Sequence, residues 1–221
     1  MREIVFDTET TGLSPAEGHK IIEIGCVELI NRVATGRTFH HYIDPQREID
    51  ASATRVHGIT NERVAGMPLF KDVAEAFLTF VANAPLVAHN ASFDINFLNH
   101  ELGLIDLPHL QNEVVDTLQI ARQKFPGAQA TLDALCRRYE IDLSARTYHG
   151  ALLDAQLLAE VYLELTGGKQ PTLGLGGDGD ENTSTTTYRK ATIQAARTSA
   201  LSADEQAAHQ AFIEKMPHNL W

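Results

Sequence analysis

Cysteine is nearly absent from this chain. Its 221 residues contain two, Cys26 and Cys136, each in an apolar-periodic segment and neither in a CxxC spacing. That excludes a disulfide framework and a cysteine zinc site, and it predicts reduced core thiols in a cytoplasmic protein. No apolar run approaches the roughly 20 residues of a membrane helix, so no membrane partner is expected. A strand pattern starts almost at the first residue, which leaves no room for a signal peptide. Positive charge is scarce as well. Lys and Arg number 18 against 29 Asp and Glu, a formal charge of −11. Of these, 13 basic and 23 acidic residues precede Thr166, so that part carries −10. A protein that grips duplex phosphates unaided is normally basic. Either the partner is not a polyanion, or metal ions and another subunit supply positive charge.

Alternating and helical patterns divide the first 168 residues. Residues 3–6 form a short apolar strand, 12–18 a turn region with breakers Gly12, Pro15 and Gly18, and 20–32 a long strand. A strand over 38–43 follows across Ala34-Thr35-Gly36, which predicts an antiparallel hairpin. Helical spacing then appears over 68–82, with Leu69, Val73, Ala76, Phe77, Phe80 and Val81 on one stripe. A buried strand at 85–88, a helix at 91–102 and a strand at 114–115 come next, before helices near 117–124, 132–139 and 151–165. Strands alternating with helices imply a parallel half-sheet, so the expected class is α/β, a mixed central sheet with an antiparallel meander and a parallel half, flanked by helices. After Gly168 the composition turns polar, and 174–187 reads as a flexible linker. Ser202-Ala203-Asp204-Glu205 fits a capping box opening a short helix. The expected division is a core of 1–168, a linker of 169–200 and a terminal segment of 201–221, together a flexible C-terminal tail.

Asp7-Thr8-Glu9 closes the first strand. Side chains alternate on a strand, so the two carboxylates share a face roughly 7 Å apart, with Thr8 turned opposite. Repulsion and desolvation both oppose them there, and a cation would relieve both. A solvated strand end is the alternative for this pair taken alone. Asp94 opens a helix leaving a buried strand, and Asp154 interrupts the apolar stretch 150–159. Favourable placement near a helix N-terminus or on an exposed helix face would account for either one. His149 stands five residues before Asp154, where it could accept a proton from a water near neutral pH. Four carboxylates and a histidine can hold two divalent ions about 4 Å apart for phosphodiester hydrolysis. Oxygen ligands favour Mg²⁺ or Mn²⁺ over zinc.

Three stretches together, Phe6-Asp7-Thr8-Glu9-Thr10-Thr11-Gly12, His89-Asn-Ala-Ser-Phe-Asp94 and His149-x4-Asp154, resemble the exonuclease motifs of the DEDDh 3′→5′ exonucleases. The resemblance implies an RNase H-like exonuclease fold, two Mg²⁺ or Mn²⁺ ions on Asp7, Glu9, Asp94 and Asp154, and His149 as the catalytic base. The family's tyrosine variant has Tyr-x3-Asp in the third motif, and Tyr148 stands too early for that. Residues 17–25, 56–59, 132–142 and 149–168 look like the proofreading subunits of bacterial DNA polymerase III. That likeness implies a proofreading 3′→5′ exodeoxyribonuclease that releases nucleoside 5′-monophosphates from a single-stranded or frayed DNA 3′ end. It implies substrate contacts from Thr8, Glu9, Thr11, Ser52, His57, Phe93 and Asp154. An acidic residue is common in the family where Ser52 stands. For Phe93 the alternatives are a wedge beside a terminal base and a plain core phenylalanine.

The same resemblance implies partners. Gln170-Pro-Thr-Leu173-Gly-Leu175 is similar to the peptide that replication proteins insert into the sliding clamp. Residues 202–221, with Phe212, Ile213 and Trp221 as apolar contacts, look like an anchor for the polymerase (alpha) subunit. A small theta-like accessory subunit on the core is also compatible with the resemblance. A partner that holds the primer–template would account for the acidic balance. Two other readings compete: a stand-alone enzyme of the oligoribonuclease or RNase T kind, and a mainly structural bridge between polymerase and clamp.

Overall fold

Apolar side chains on both faces of the first two strands set the architecture. The computed structural model describes residues 1–144, 146, 148–168 and 202–213. The chain divides into two units, Met1–Leu173 and Gly174–Trp221. Strands β1 (Arg2–Thr10), β2 (Ile21–Ile30), β3 (Val33–Tyr42), β4 (Leu86–Ala88) and β5 (Val114–Asp116) form one sheet in the order β3-β2-β1-β4-β5. β1, β2 and β3 pair antiparallel, while β4 and β5 run parallel to β1. This is the mixed sheet that the sequence pattern predicts.

The helices, in chain order, are α1 (Ala51–His57), α2 (Asn61–Val64), α3 (Phe70–Val81), α4 (Ala91–Gly103), α5 (Thr117–Lys124), α6 (Leu132–Arg138), α7 (Ala151–Leu165) and α8 (Ala203–Ile213). Ile4, Phe6, Ile24 and Cys26 pack on one face of the sheet against Phe77 of α3 and Phe97 and Leu98 of α4. Val5, Val27, Leu29 and Val87 pack on the other against Ala155, Leu158, Ala159 and Tyr162 of α7. With both faces covered, β2 is buried at every position except Ile30, as a central strand between two helical layers must be. The two thiols are free and buried.

Three local features differ from expectation. The β2–β3 turn is at Asn31-Arg32, with φ of 50° and 66°, the two left-handed residues of a tight twisted hairpin. Ala34-Thr35-Gly36 is inside β3 instead, beside an irregularity between Val27 and Leu29. There Gly36 has φ +84°, and Thr35 Oγ1 donates to Glu28 Oε2 at 2.8 Å. Second, α1 and α2 occupy a stretch whose pattern predicts no helix; both are too short for a periodic stripe to register. Third, the third motif's flank folds over α1: His149 N donates to Val56 O at 3.2 Å. In the second unit the expected capping box is present, with Ser202 N donating to Glu205 Oε2 at 2.9 Å and Glu205 N to Ser202 Oγ at 3.3 Å. Gln170, Leu173, Leu175, Trp221 and the linker 169–200 lie outside the described residues.

Candidate active site

Alternation along β1 places the first motif. Val5 faces α7, so Asp7 and Glu9 continue on that face, while Thr8 turns toward α4 with Ile4 and Phe6. The lattice of the sheet thus sends each part of the motif to a different helix. Asp94, buried in the first turn of α4, accepts at Oδ1 from Thr8 N (3.0 Å) and Thr8 Oγ1 (2.7 Å). On the opposite layer, the start of α7 brings Asp154 and the preceding His149 to Glu9. Ligand atoms of Glu9, His149 and Asp154 lie within 4.8 Å of one another. Asp7 is half-buried beside these groups, and neither it nor Asp94 belongs to that cluster.

Close contact between β2 and α7 sets the approach. A Cβ on Gly25 would stand 2.2 Å from Leu152 N and 2.3 Å from the Ala151 carbonyl carbon, so only glycine lets the helix start lie on the strand. Glu23, opposite Glu9 across the β1–β2 pair, accepts at Oε2 from Ala151 N at 3.1 Å. It satisfies an orphan amide of the helix N-terminus with a favourable charge. His40 Nε2 meets its other oxygen at 2.6 Å.

So many buried acids cannot all ionise comfortably. Burial first, then repulsion from Asp94, Glu9, Asp154 and Glu23, holds the Asp7 carboxyl well above its ordinary value. Glu9 is pushed up to about 8 by burial and by Asp154, Glu23 and Asp94. Asp94 is raised to about 7 by burial, against the lowering effect of the two Thr8 bonds. Asp154 goes the other way. Burial works to raise it, but His149 beside it at 3.3 Å and the hydrogen bonds and charge of Arg146 outweigh burial and lower it. A divalent cation fits this set: hard oxygen donors in excess, an imidazole beside them, and a net charge that needs neutralising.

The other expected contacts divide. Ser52 is exposed in the first turn of α1. His57 is buried; its Nδ1 accepts from Ile59 N at 3.0 Å, and its Nε2 is a buried atom without a partner among the described residues. With Nδ1 an acceptor, Nε2 carries the proton and is a donor. Thr11 is buried and its hydroxyl is engaged by Lys20 N at 3.0 Å and His19 Nδ1 at 3.1 Å. The Thr8 and Thr11 hydroxyls are therefore occupied, and their amides are engaged as well, Thr8 N by Asp94 Oδ1 and Thr11 N by Lys20 O at 2.8 Å. Phe93 is half-buried on the core, 5.0 Å from the Phe97 ring. Phe212 is exposed on α8.

Arg146 is the residue that the motif pattern does not announce. Its Nε and Nη2 donate to Asp154 Oδ1 and Oδ2, both at 2.6 Å. Nη2 also reaches His149 Nδ1 at 2.9 Å, and Nη1 donates to Asp133 of α6. Its only signal in the sequence is position, three residues before His149. A groove of about 830 Å³ between Leu29, Arg32, Tyr139 and Leu163 contains none of these residues.

Comparisons with known proteins agree with one another. The family described as Exonuclease matches residues 4–162. DNA polymerase III subunit epsilon of Salmonella typhimurium is 48% identical over 96% of this chain and 92% of its own length. The Escherichia coli subunit epsilon is 46% identical with the same coverage. That of Rickettsia prowazekii is 51% identical over 82% of this chain and 81% of its own length. Among solved structures, Exonuclease X in complex with 5′ overhanging duplex DNA matches with a TM-score of 0.59 at 29% identity, covering 75% of this chain and 90% of that one. The nuclease domain of 3′hExo, a DEDDh family member bound to rAMP, matches with a TM-score of 0.65 at 20% identity, over 75% and 91%; that likeness is one of fold.

Proposed function

The chain belongs to the exonuclease family and, within it, to the DNA polymerase III epsilon subunits, and from that premise we propose that it is the 3′→5′ proofreading exodeoxyribonuclease of a bacterial replicase. The observation that carries the reading is the convergence of Glu9, His149 and Asp154 ligand atoms within 4.8 Å at one end of the sheet. Asp7, Glu9 and Asp154 would hold two divalent cations, Mg²⁺ or Mn²⁺, with Asp94 completing the set from the other side of β1. Such ions supply Lewis-acid activation of water and charge stabilisation at the leaving oxygen. His149, half-exposed at the mouth of the site, accepts the proton of the attacking water. The backbone of Thr10, Thr11 and Gly12, with Ser52, the His57 Nε2 donor and Phe93, would seat the terminal nucleotide, and the product is a nucleoside 5′-monophosphate.

Partners follow from the same premise. The polymerase subunit would bind through 202–221 and the sliding clamp through 170–175, with room for a small accessory subunit on the core. Identity to epsilon subunits that runs over 96% of the chain supports a replicase component over a stand-alone enzyme. The test is release of nucleoside 5′-monophosphates from a mispaired DNA 3′ end with Mg²⁺, with EDTA as the control. His149→Ala should slow release by about 10²–10⁴-fold, and Asp7→Ala should abolish it. Unchanged rates in both variants would sink the assignment.

A further inference from the structure

We propose that Arg146 is the resident counter-cation of this site, a positioning residue that competes with the divalent ion for Asp154 and retreats to Asp133 when the ion binds. The inference rests on the metal-dependent reading above.

The guanidinium is a buried fork. Its side chain is 7% exposed, and it takes both oxygens of Asp154 at once. Bidentate arginine–carboxylate pairs are among the stronger charge-assisted bonds. The same guanidinium nitrogen that holds Asp154 Oδ2 also meets His149 Nδ1. Asp154 and His149 are two of the three groups that could together ligate an ion. An ion bound by Asp154 and Arg146 thus need the same lone pairs, and the two positive charges repel at that distance. Removing Arg146 without replacement would strand Asp154 beside Glu9, Asp7 and Asp94, and leaving a buried charge uncompensated is costly. Exchange of one cation for the other avoids that cost.

Asp133 gives the arginine somewhere to go. It is 42% exposed, on the outer side of Arg146, and already receives Nη1. Releasing Asp154 therefore leaves Arg146 in an ion pair and frees His149 Nδ1 in the same movement. Arginine can do this where lysine cannot, because its separate nitrogens serve two acids simultaneously.

The test is Mn²⁺ affinity, read by the free-ion paramagnetic resonance signal, on the full chain and on Arg146→Ala, Arg146→Lys, Asp133→Asn and Asp154→Asn. Arg146→Ala should bind Mn²⁺ more tightly, on the order of tenfold or more, because a charge-assisted competitor has gone. Arg146→Lys should fall between it and the wild type. Asp133→Asn should bind more weakly, because the displaced arginine has lost its second partner. A residue that only braced the loop would weaken binding in every variant. In EDTA, Arg146→Ala should also melt at a lower temperature and gain more on addition of Mn²⁺. Equal or weaker affinity in Arg146→Ala, with Asp154→Asn still impaired, overturns the role of Arg146 and leaves the metal reading intact. No Mn²⁺ binding by the wild type overturns both.

Discussion

At the scale of single residues, the site is a problem of buried acids with different neighbours. Asp94 ends on Thr8 and Asp154 on Arg146, so two carboxylates proposed to share a metal-binding task are held by opposite means. Thr8 gives Asp94 two donors from one residue, its backbone amide and its hydroxyl. Thr8→Val keeps the shape and the amide but removes the hydroxyl. The buried carboxyl then loses its shorter bond, which should cost about 1–3 kcal/mol. Urea unfolding in EDTA measures that loss, and a cost near zero would mean the hydroxyl is not needed there. A second residue-scale expectation concerns Gly12. A Cβ there would stand 2.2 Å from the His19 ring, and His19 also engages the Thr11 hydroxyl. Gly12→Ala should displace that ring and the Thr10–Gly12 backbone together. A rise in KM for a DNA 3′ end with little change in Mn²⁺ affinity is the expected signature, and an unchanged KM would remove this backbone from the substrate's path.

At the scale of elements, the start of α7 matters most, because it brings Asp154 and His149 to Glu9. Gly25 lets it approach and Glu23 fixes its first amide. Gly25→Ala must push the helix start off β2, an overpacking that costs about 1–3 kcal/mol. Activity should suffer more than stability, since a displacement of about 1 Å at reacting groups can cost 10²-fold. Assays well below the melting temperature separate the two effects; an activity loss no larger than the unfolded fraction would refute the positioning role. Periodicity in the sequence locates α5 and α7 residue for residue, and β4 and β5 to within a residue or two, because long stripes and buried runs are written into side-chain order. The β2–β3 turn is less legible: Asn31-Arg32 contains no glycine, while Gly36 nearby is the obvious breaker and serves an irregularity instead. α1 and α2 are shorter than the window in which a stripe can be read. Of the candidate site, the motif acids and His149 are legible because three ordered stretches resemble the family's motifs together. Glu23, Arg146 and Asp133 are not, because an acid on a strand or an arginine in a loop gains meaning only from what the fold sets against it.

At the scale of the whole molecule, the crowded acids should make stability depend on pH in an unusual direction. Acids held low in the native state, Asp154 among them, finish titrating below the ordinary carboxylate range and give no slope at higher pH. His57 and His89 are lowered by burial, so they favour folding as pH rises, but only up to the ordinary histidine value of about 6.5. The thiols, raised by burial, act only as pH passes the ordinary thiol value of about 8.5. Between those limits the groups left are Glu9 at about 8 and Asp94 at about 7. In that window the native chain binds more protons than the unfolded one, so stability must fall as pH rises. Thermal melts in EDTA between about pH 6.5 and 8.5 should therefore show a declining midpoint. Glu9→Gln should reduce the decline, since its side chain has no proton to lose. Saturating Mn²⁺ should reverse it, because the ion binds the ionised acids of the folded state alone. A midpoint that is flat in EDTA and unaffected by Mn²⁺ would mean that these carboxylates are neither as crowded nor as dependent on a cation as their burial requires.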